Sequence, residues 1–155
     1  MTIQPMRRKD REVGADAAWQ ILKHCPYATL SMCADNQPYA VPISPAVLDD
    51  AVYFHCARKG QKNEFLHQNP NVCLTCVTDA RPDSDTLSMF YQSATAYGTA
   101  HEVTDEQEKR AALIAISQTY CPENMDGANA EILREIKAVC IYKIEITHIT
   151  GKARR

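Results

Sequence analysis

Three cations cluster around one glycine in Arg58-Lys59-Gly60-Gln61-Lys62. Binding a phosphate takes positive charge and backbone N–H donors, and a turn that opens a helix supplies both. Val52-Tyr53-Phe54 is β-branched and aromatic, which suits a strand leading into this turn. Asn63 to Gln68 suits a short helix leading out of it. Asn69-Pro70 ends that helix, because the residue before a proline is pushed out of the α region. Lys62 then falls on the first helical turn. Taken alone, such a turn is more often a solvated basic surface. His55 lies just before it, on the strand face of Tyr53 and opposite Phe54. An imidazole there could hydrogen-bond or protonate a small substrate, since its ordinary pKa lies near neutrality. A lone histidine in a strand is more often structural.

Other chemistries find little support. The sequence holds no G-x-S-x-G, H-E-x-x-H, G-x-G-x-x-G or P-loop pattern. The five histidines (24, 55, 67, 101 and 148) show no metal-ligand spacing. Cys73 and Cys76 form a C-x-x-C, but they sit in an apparent strand, where side chains three apart point to opposite faces. Buried thiols are therefore expected rather than a zinc or redox pair. The seven cysteines are odd in number and scattered, which favours reduced thiols in a cytoplasmic protein over a disulfide framework. A net charge of −2 does not suggest a nucleic-acid partner. No apolar run approaches a membrane span, and the basic N-terminus has no apolar stretch after it.

The elements that must position these residues follow from pattern. Residues 1–14 are polar and expected to be extended. Asp16 can cap a helix to about His24, with Ala18, Ile21, Leu22 and Cys25 on its apolar face. Tyr27 to Cys33 reads as a strand, Ala34 to Gln37 as a hairpin turn and Pro38 to Ala46 as a second strand. Pro42 and Pro45 remove ladder donors, so that strand belongs at an edge or a break. Ala51 to Cys56 is the third strand and Asn71 to Asp79 the fourth. Arg81 to Thr86 reads as a loop. Leu87 to Val103 is a long fifth strand, bent at Gly98. Thr104-Asp105-Glu106-Gln107 has the form of a capping box and opens a helix to about Tyr120. Pro122 to Asp126 is a linker, and a further helix runs from about Ala128 to Lys137. Ala138 to Ile149 is the sixth strand, followed by a tail. This order predicts one mainly β domain with flanking helices over residues 1–155, an α+β chain built on a six-stranded antiparallel barrel.

Several stretches also resemble a known family. They are Met6-Arg7-Arg8-Lys9-Asp10-Arg11-Glu12-Val13, Gln37-Pro38-Tyr39-Ala40-Val41-Pro42-Ile43, Tyr53-Phe54-His55-Cys56-Ala57 and Gly60-Gln61-Lys62. Asn69-Pro70-Asn71-Val72-Cys73, Tyr91-Gln92-Ser93, Tyr97-Gly98-Thr99-Ala100 and Ile149-Thr150-Gly151-Lys152-Ala153 follow in the same order. Together they resemble the nitroimidazole-resistance (Nim) proteins within the pyridoxamine 5'-phosphate oxidase-like, FMN-binding split-barrel family. The resemblance implies a split β-barrel that forms a homodimer with FMN at the interface. It places Val41, Pro42, Ile43 and Ser44 along the isoalloxazine, and Phe54 and His55 beside the flavin. Gln61 and Lys62 match an Arg-Lys pair that holds the phosphate. Gln61 departs from that arginine, with Lys59 or Arg58 as substitutes. Ser93 matches a polar side chain that reaches the flavin across or near the interface, and His55 lines the substrate pocket. The oxidase's C-terminal substrate-binding arginine motif has no counterpart, so pyridoxamine phosphate is not the expected substrate. Relatives of the barrel bind haem or a deazaflavin instead.

The expected function is therefore an FMN-dependent oxidoreductase that reduces small acceptors such as nitro compounds, with Lys62 on the phosphate and His55 on the substrate side. The alternative is a flavin or haem carrier or sensor without turnover, with His55 as an axial haem ligand.

Overall fold

The computed structural model describes residues 3–155. The first two residues of the expected N-terminal arm lie outside that range. In chain order the strands and helices are β1 (Glu12–Val13), α1 (Ala15–His24), β2 (Ala28–Ala34), β3 (Gln37–Ile43), β4 (Ala46–Leu48) and β5 (Ala51–Ala57). They continue with α2 (Gln61–Gln68), β6 (Asn71–Asp83), β7 (Ser88–Glu102), α3 (Glu106–Tyr120), α4 (Met125–Glu135) and β8 (Val139–Arg154). Short 3-10 turns at Lys9–Arg11 and Pro122–Asn124 precede β1 and α4.

The strands form one antiparallel eight-stranded sheet in the order β3-β2-β6-β7-β8-β5-β4, with β1 added to β8. The ends of that path, β3 and β4, are joined by Ser44-Pro45 alone. So short a link between opposite ends forces the sheet to curl round on itself, closed at that seam by covalent chain rather than by a ladder. This is the split barrel that the resemblance implied. Its six long strands are the six read from the sequence. The two short ones are additions: Pro45 cuts β4 away from β3, and β1 is a two-residue pairing of Glu12 with Lys152 and Val13 with Gly151. Proline is tolerated in β3 because β3 ends the path and leaves one side unpaired.

Leu30, Phe54, Leu74, Tyr142 and Ile144 fill the barrel and are almost wholly buried. α1 packs Ala18, Ile21 and Leu22 onto the same core. Its close approach to β8 explains Gly151, where a Cβ would lie 2.6 Å from Val13 Cγ2 and 2.9 Å from Ala18 Cβ. On the outer side, α3 buries Ala112 against Ala51, Tyr53, Val103 and Ile141 in a second cluster.

Several boundaries differ from the sequence reading. The expected tail after Ile149 is strand: β7 pairs with β8 as far as Tyr91 opposite Arg154. Local pattern cannot reveal this, because Gly151, Lys152 and Arg154 have little strand character; β7 holds all three, and β1 adds a second partner for Gly151 and Lys152. Arg81 to Asp83, read as loop, continues β6 beyond a bulge between Thr78 and Arg81. Gly14, not Asp16, caps α1. Asp105 rather than Thr104 caps α3, accepting a hydrogen bond from the Glu108 N–H at 2.8 Å. α4 starts earlier, at Met125, with Asn124 as its cap. Cys73 and Cys76 do face opposite ways: Cys76 is buried in the core and Cys73 is half-buried on the outer face. No helix is long and apolar enough to cross a membrane.

Candidate functional site

The turn between β5 and α2 is built around a buried amide. Asn63 is the one polar residue among the buried side chains described, at 5% exposure. Its Nδ2 donates to the Ala57 carbonyl at 2.8 Å, and its Oδ1 accepts from the Cys56 thiol at 3.3 Å. Burial raises the Cys56 pKa, so the thiol keeps the proton that this bond needs. Asn63 thus ties the end of β5 to the first turn of α2. Gly60 completes the turn with φ 136 and ψ 167, a conformation close to glycine-only. The N–H groups of Asn63 and Glu64 bond back to the Gly60 carbonyl. Those of Gln61 and Lys62, at the helix start, have no partner inside the helix.

The cations of the turn divide. Arg58 donates to the Lys137 carbonyl just after α4 and so fastens the start of β8. Lys59 is exposed. Lys62 is half-buried, with Nζ 5.4 Å from the centroid of the Phe54 ring. Phe54 is fully buried and stacks on Tyr142 at 5.4 Å, so its side chain belongs to the core and only its backbone can face a ligand. One turn along α2 from Lys62, Phe65 meets Tyr39 of β3 at 5.3 Å. α2 packs on β2, and through this ring pair it also meets β3. The inward β3 residues Val41 and Ile43 point toward the core, while Pro42 and Ser44 are exposed. Beyond Ser44 the Tyr120 hydroxyl, with its pKa pushed up to about 12 chiefly by burial, donates to the Pro45 carbonyl at 2.8 Å and fixes the corner.

His55 projects to the other face of β5, at the rim of a cavity of about 650 Å³ between the barrel and the α3–α4 pair. Leu113, Ile116, Ile132 and Val139 give this cavity an apolar wall, with Glu131 at its edge. His55 is exposed at this rim, but partial loss of water on its cavity side lowers its pKa, and the charge of Lys62 lowers it further. At neutral pH the ring is therefore an uncharged hydrogen-bonding group.

Ser93 is not part of this assembly. It pairs with Lys152, whereas His55 pairs with Ile141. The two positions are roughly 35 Å apart along β8 at about 3.3 Å per residue. Ser93 instead lines a small hollow of about 240 Å³ with Tyr97 and Lys152. The sequence reading missed Asn63 and Tyr120. An asparagine on a polar helix carries no signal of burial, and the partner of Tyr120 lies 75 residues away. Among the described residues no cluster of His, Cys, Asp and Glu could hold a metal ion.

Comparison with known folds gives consistent results. A protein from Bacteroides thetaiotaomicron named for 5-nitroimidazole antibiotic resistance superposes with a TM-score of 0.77 at 25% identity, over 91% of this chain and 85% of that one. An FAD- and heme-binding protein from Mycobacterium smegmatis gives 0.77 at 20% identity, over 94% and 74%. A flavocytochrome from Azotobacter vinelandii gives 0.78 at 20%, over 97% and 72%. No curated protein matches the chain. The sequence model described as pyridoxamine 5'-phosphate oxidase matches residues 14–153, from the N-cap of α1 to the last residues of β8. A match over nearly the whole barrel, with the same architecture in the superposed structures, decides the matter: the chain belongs to the pyridoxamine 5'-phosphate oxidase family.

Proposed function

We propose that this protein is an FMN-binding oxidoreductase that reduces small acceptors such as nitro compounds. The observation that carries the reading is the β5–α2 turn. Gly60 and buried Asn63 hold Lys62 and two helix N–H groups ready for a phosphate, one residue-face away from an open cavity at His55. The fit is best for a monoester phosphate: one ammonium and two N–H donors match a dianion with several acceptor oxygens. With Arg58 spent on Lys137, Lys59 is the remaining substitute for the family arginine that Gln61 replaces.

When bound, the flavin supplies the electrons of the reduction. This chain binds, orients and encloses. Lys62 neutralises phosphate charge. The backbone of β3 from Val41 to Ser44, clamped at Pro45, offers a straight edge for a planar ring. Neutral His55 offers one donor or acceptor nitrogen to an acceptor held in the cavity, against an apolar wall of Leu113, Ile116, Ile132 and Val139. Ser93 can join such a site only from a second copy, because in its own chain it sits on β7 opposite Lys152, at the far end of β8 from the partner of His55. This supports a homodimer with the cofactor at the interface.

The test is spectral and kinetic. Purified protein is expected to be yellow or to take up added FMN, and mass analysis of the released cofactor separates FMN from FAD. Turnover of a nitro compound with a reduced nicotinamide is expected. Failure to bind any flavin sinks the proposal. The likeness to a flavocytochrome and to an FAD- and heme-binding protein motivates a second reading, a haem or flavin carrier with His55 as axial ligand. A Soret band that is lost in His55→Ala would favour it.

A further inference from the structure

At the base of the β6–β7 hairpin two guanidinium groups share one ring. The Arg81 guanidinium carbon lies 4.3 Å from the centroid of Phe90, and that of Arg154 lies 4.7 Å from it. Arg81 is opposite Phe90 in the ladder, and Arg154 reaches over from β8, where it is opposite Tyr91. The bulge that precedes Arg81, with Asp79 at φ 53, re-aims the strand at this point.

The hydrogen bonding of this pair is incomplete. Arg154 Nη2 donates to Asp83 at 2.6 Å and to Thr86 at 2.7 Å. Arg154 Nη1 is buried without a hydrogen-bond partner among the described residues. Nη1 is closed off from the cavity, so the group open to a ligand is the Arg81 fork, whose planar geometry suits an oxyanion that takes two donors at once. Arg81 is exposed and forms no ion pair with a carboxylate among the described residues, where the ion pairs of arginine are made by Arg8, Arg134 and Arg154. Between Arg81, Arg154, Gln92 and Arg155 lies a cavity of about 400 Å³. Asp79 also lines it, but its carboxylate is occupied by the Gln92 amide at 2.6 Å.

We propose that this hairpin base is a second anion site, which takes a small phosphate or carboxylate between Arg81 and Arg154. It is separate from the Lys62 turn of the same chain, because Tyr91 and Arg154 lie at the opposite end of β8 from Cys140, the partner of Cys56. An oxyanion there gives Arg81 its counter-charge, beside the second positive charge of Arg154.

The test is titration of the FMN-loaded protein with inorganic phosphate, and separately with acetate, at an ionic strength held constant with chloride. Thermal stability and arginine side-chain NMR shifts are the readouts. Phosphate is expected to raise the melting temperature and to shift the Arg81 and Arg154 signals. Arg81→Gln is expected to weaken the effect roughly tenfold, the loss of one charge-assisted contact. Because Arg81 is exposed, that variant keeps the fold; Arg154→Gln is the second, riskier variant. A response to acetate alone assigns the site to carboxylates, and a response to either anion supports the site. Unchanged phosphate binding in Arg81→Gln overturns it. So does a response that disappears in Lys62→Ala, or release of FMN as phosphate is added, since either places the anion at the Lys62 turn.

Discussion

Asn63 and Ala57 are joined by a hydrogen bond of 2.8 Å that spans the cationic turn from inside. Both ends of the turn are set by this one amide, since the Cys56 thiol bonds to its other arm. Replacing Asn63 with Ala strands the Ala57 carbonyl and the Cys56 thiol in a part-buried site. We expect a loss of about 1–3 kcal/mol in unfolding free energy. Chemical denaturation measures it, and FMN affinity should fall in the folded fraction too. A variant with full stability would remove Asn63 from this role.

Lys62→Ala tests the phosphate assignment directly. Lys62 lies over Phe54 and forms no ion pair among the described residues, so the fold should tolerate the change. Loss of a charge-assisted contact should weaken FMN binding by roughly 1.5–3 kcal/mol, or about 10–100-fold. Lys62→Arg should recover most of it. Fluorescence titration with FMN distinguishes these outcomes, and equal affinity in all three proteins would exclude Lys62.

His55 makes stability depend on pH in a defined direction. Its pKa in the folded protein is lowered, first by burial and then by Lys62. Above its ordinary value, near 6.5, the ring is neutral in both states and adds no penalty. As pH falls below that value the unfolded chain takes up the proton first, so stability is lost down through the folded pKa. His55→Asn should therefore flatten the stability profile between neutral and mildly acidic pH. Lys62→Ala should raise the His55 pKa, by less than burial lowers it. Histidine NMR titrations report both effects, and an unshifted His55 in the wild type would contradict the geometry of the cavity rim.

Gly98 sits where the β7–β8 register shifts. A Cβ there would run into the Glu145 carbonyl oxygen and lie 2.9 Å from Ile144 Cγ2. The first obstacle is backbone and cannot rotate away. Gly98→Ala should cost about 1–3 kcal/mol of stability, as overpacking does, and denaturant midpoints would show it.

Much of the fold was legible because its signals are local. The long strands alternate, Pro42 and Pro45 mark the second strand as an edge or a break, and the Gly60 turn stands between a strand and a helix whose patterns differ. The last part of β8 was not legible. Gly151 and Lys152 are strand only because β1 and β7 hold them there, and Ala153 only because β7 does. The site was half legible for the same reason. Charge at Lys62 can be seen in a sequence, but the division of labour among the cations cannot. Arg58 is diverted by a carbonyl 79 residues away. Phe54 looks like a flavin contact until the core claims its ring. His55 and Ser93 look like parts of one pocket until the ladder sets them at opposite ends of β8.

The place of β8 between β7 and β5 bears on how the protein is made. A ribosome delivers the chain from the N-terminus, at about 5–20 residues per second. Until β8 emerges, the nascent chain can hold the β3-β2-β6-β7 ribbon and the β4–β5 hairpin, linked through Ser44-Pro45 but with no ladder between β7 and β5. β7 and β5 then each present an open ladder edge, and the half-made core of Leu30, Leu74 and Phe54 faces water. Open edges of this kind template pairing with other chains. The late strand that closes the barrel thus sets a window during synthesis in which the chain is most exposed to aggregation, and in which a chaperone would matter most.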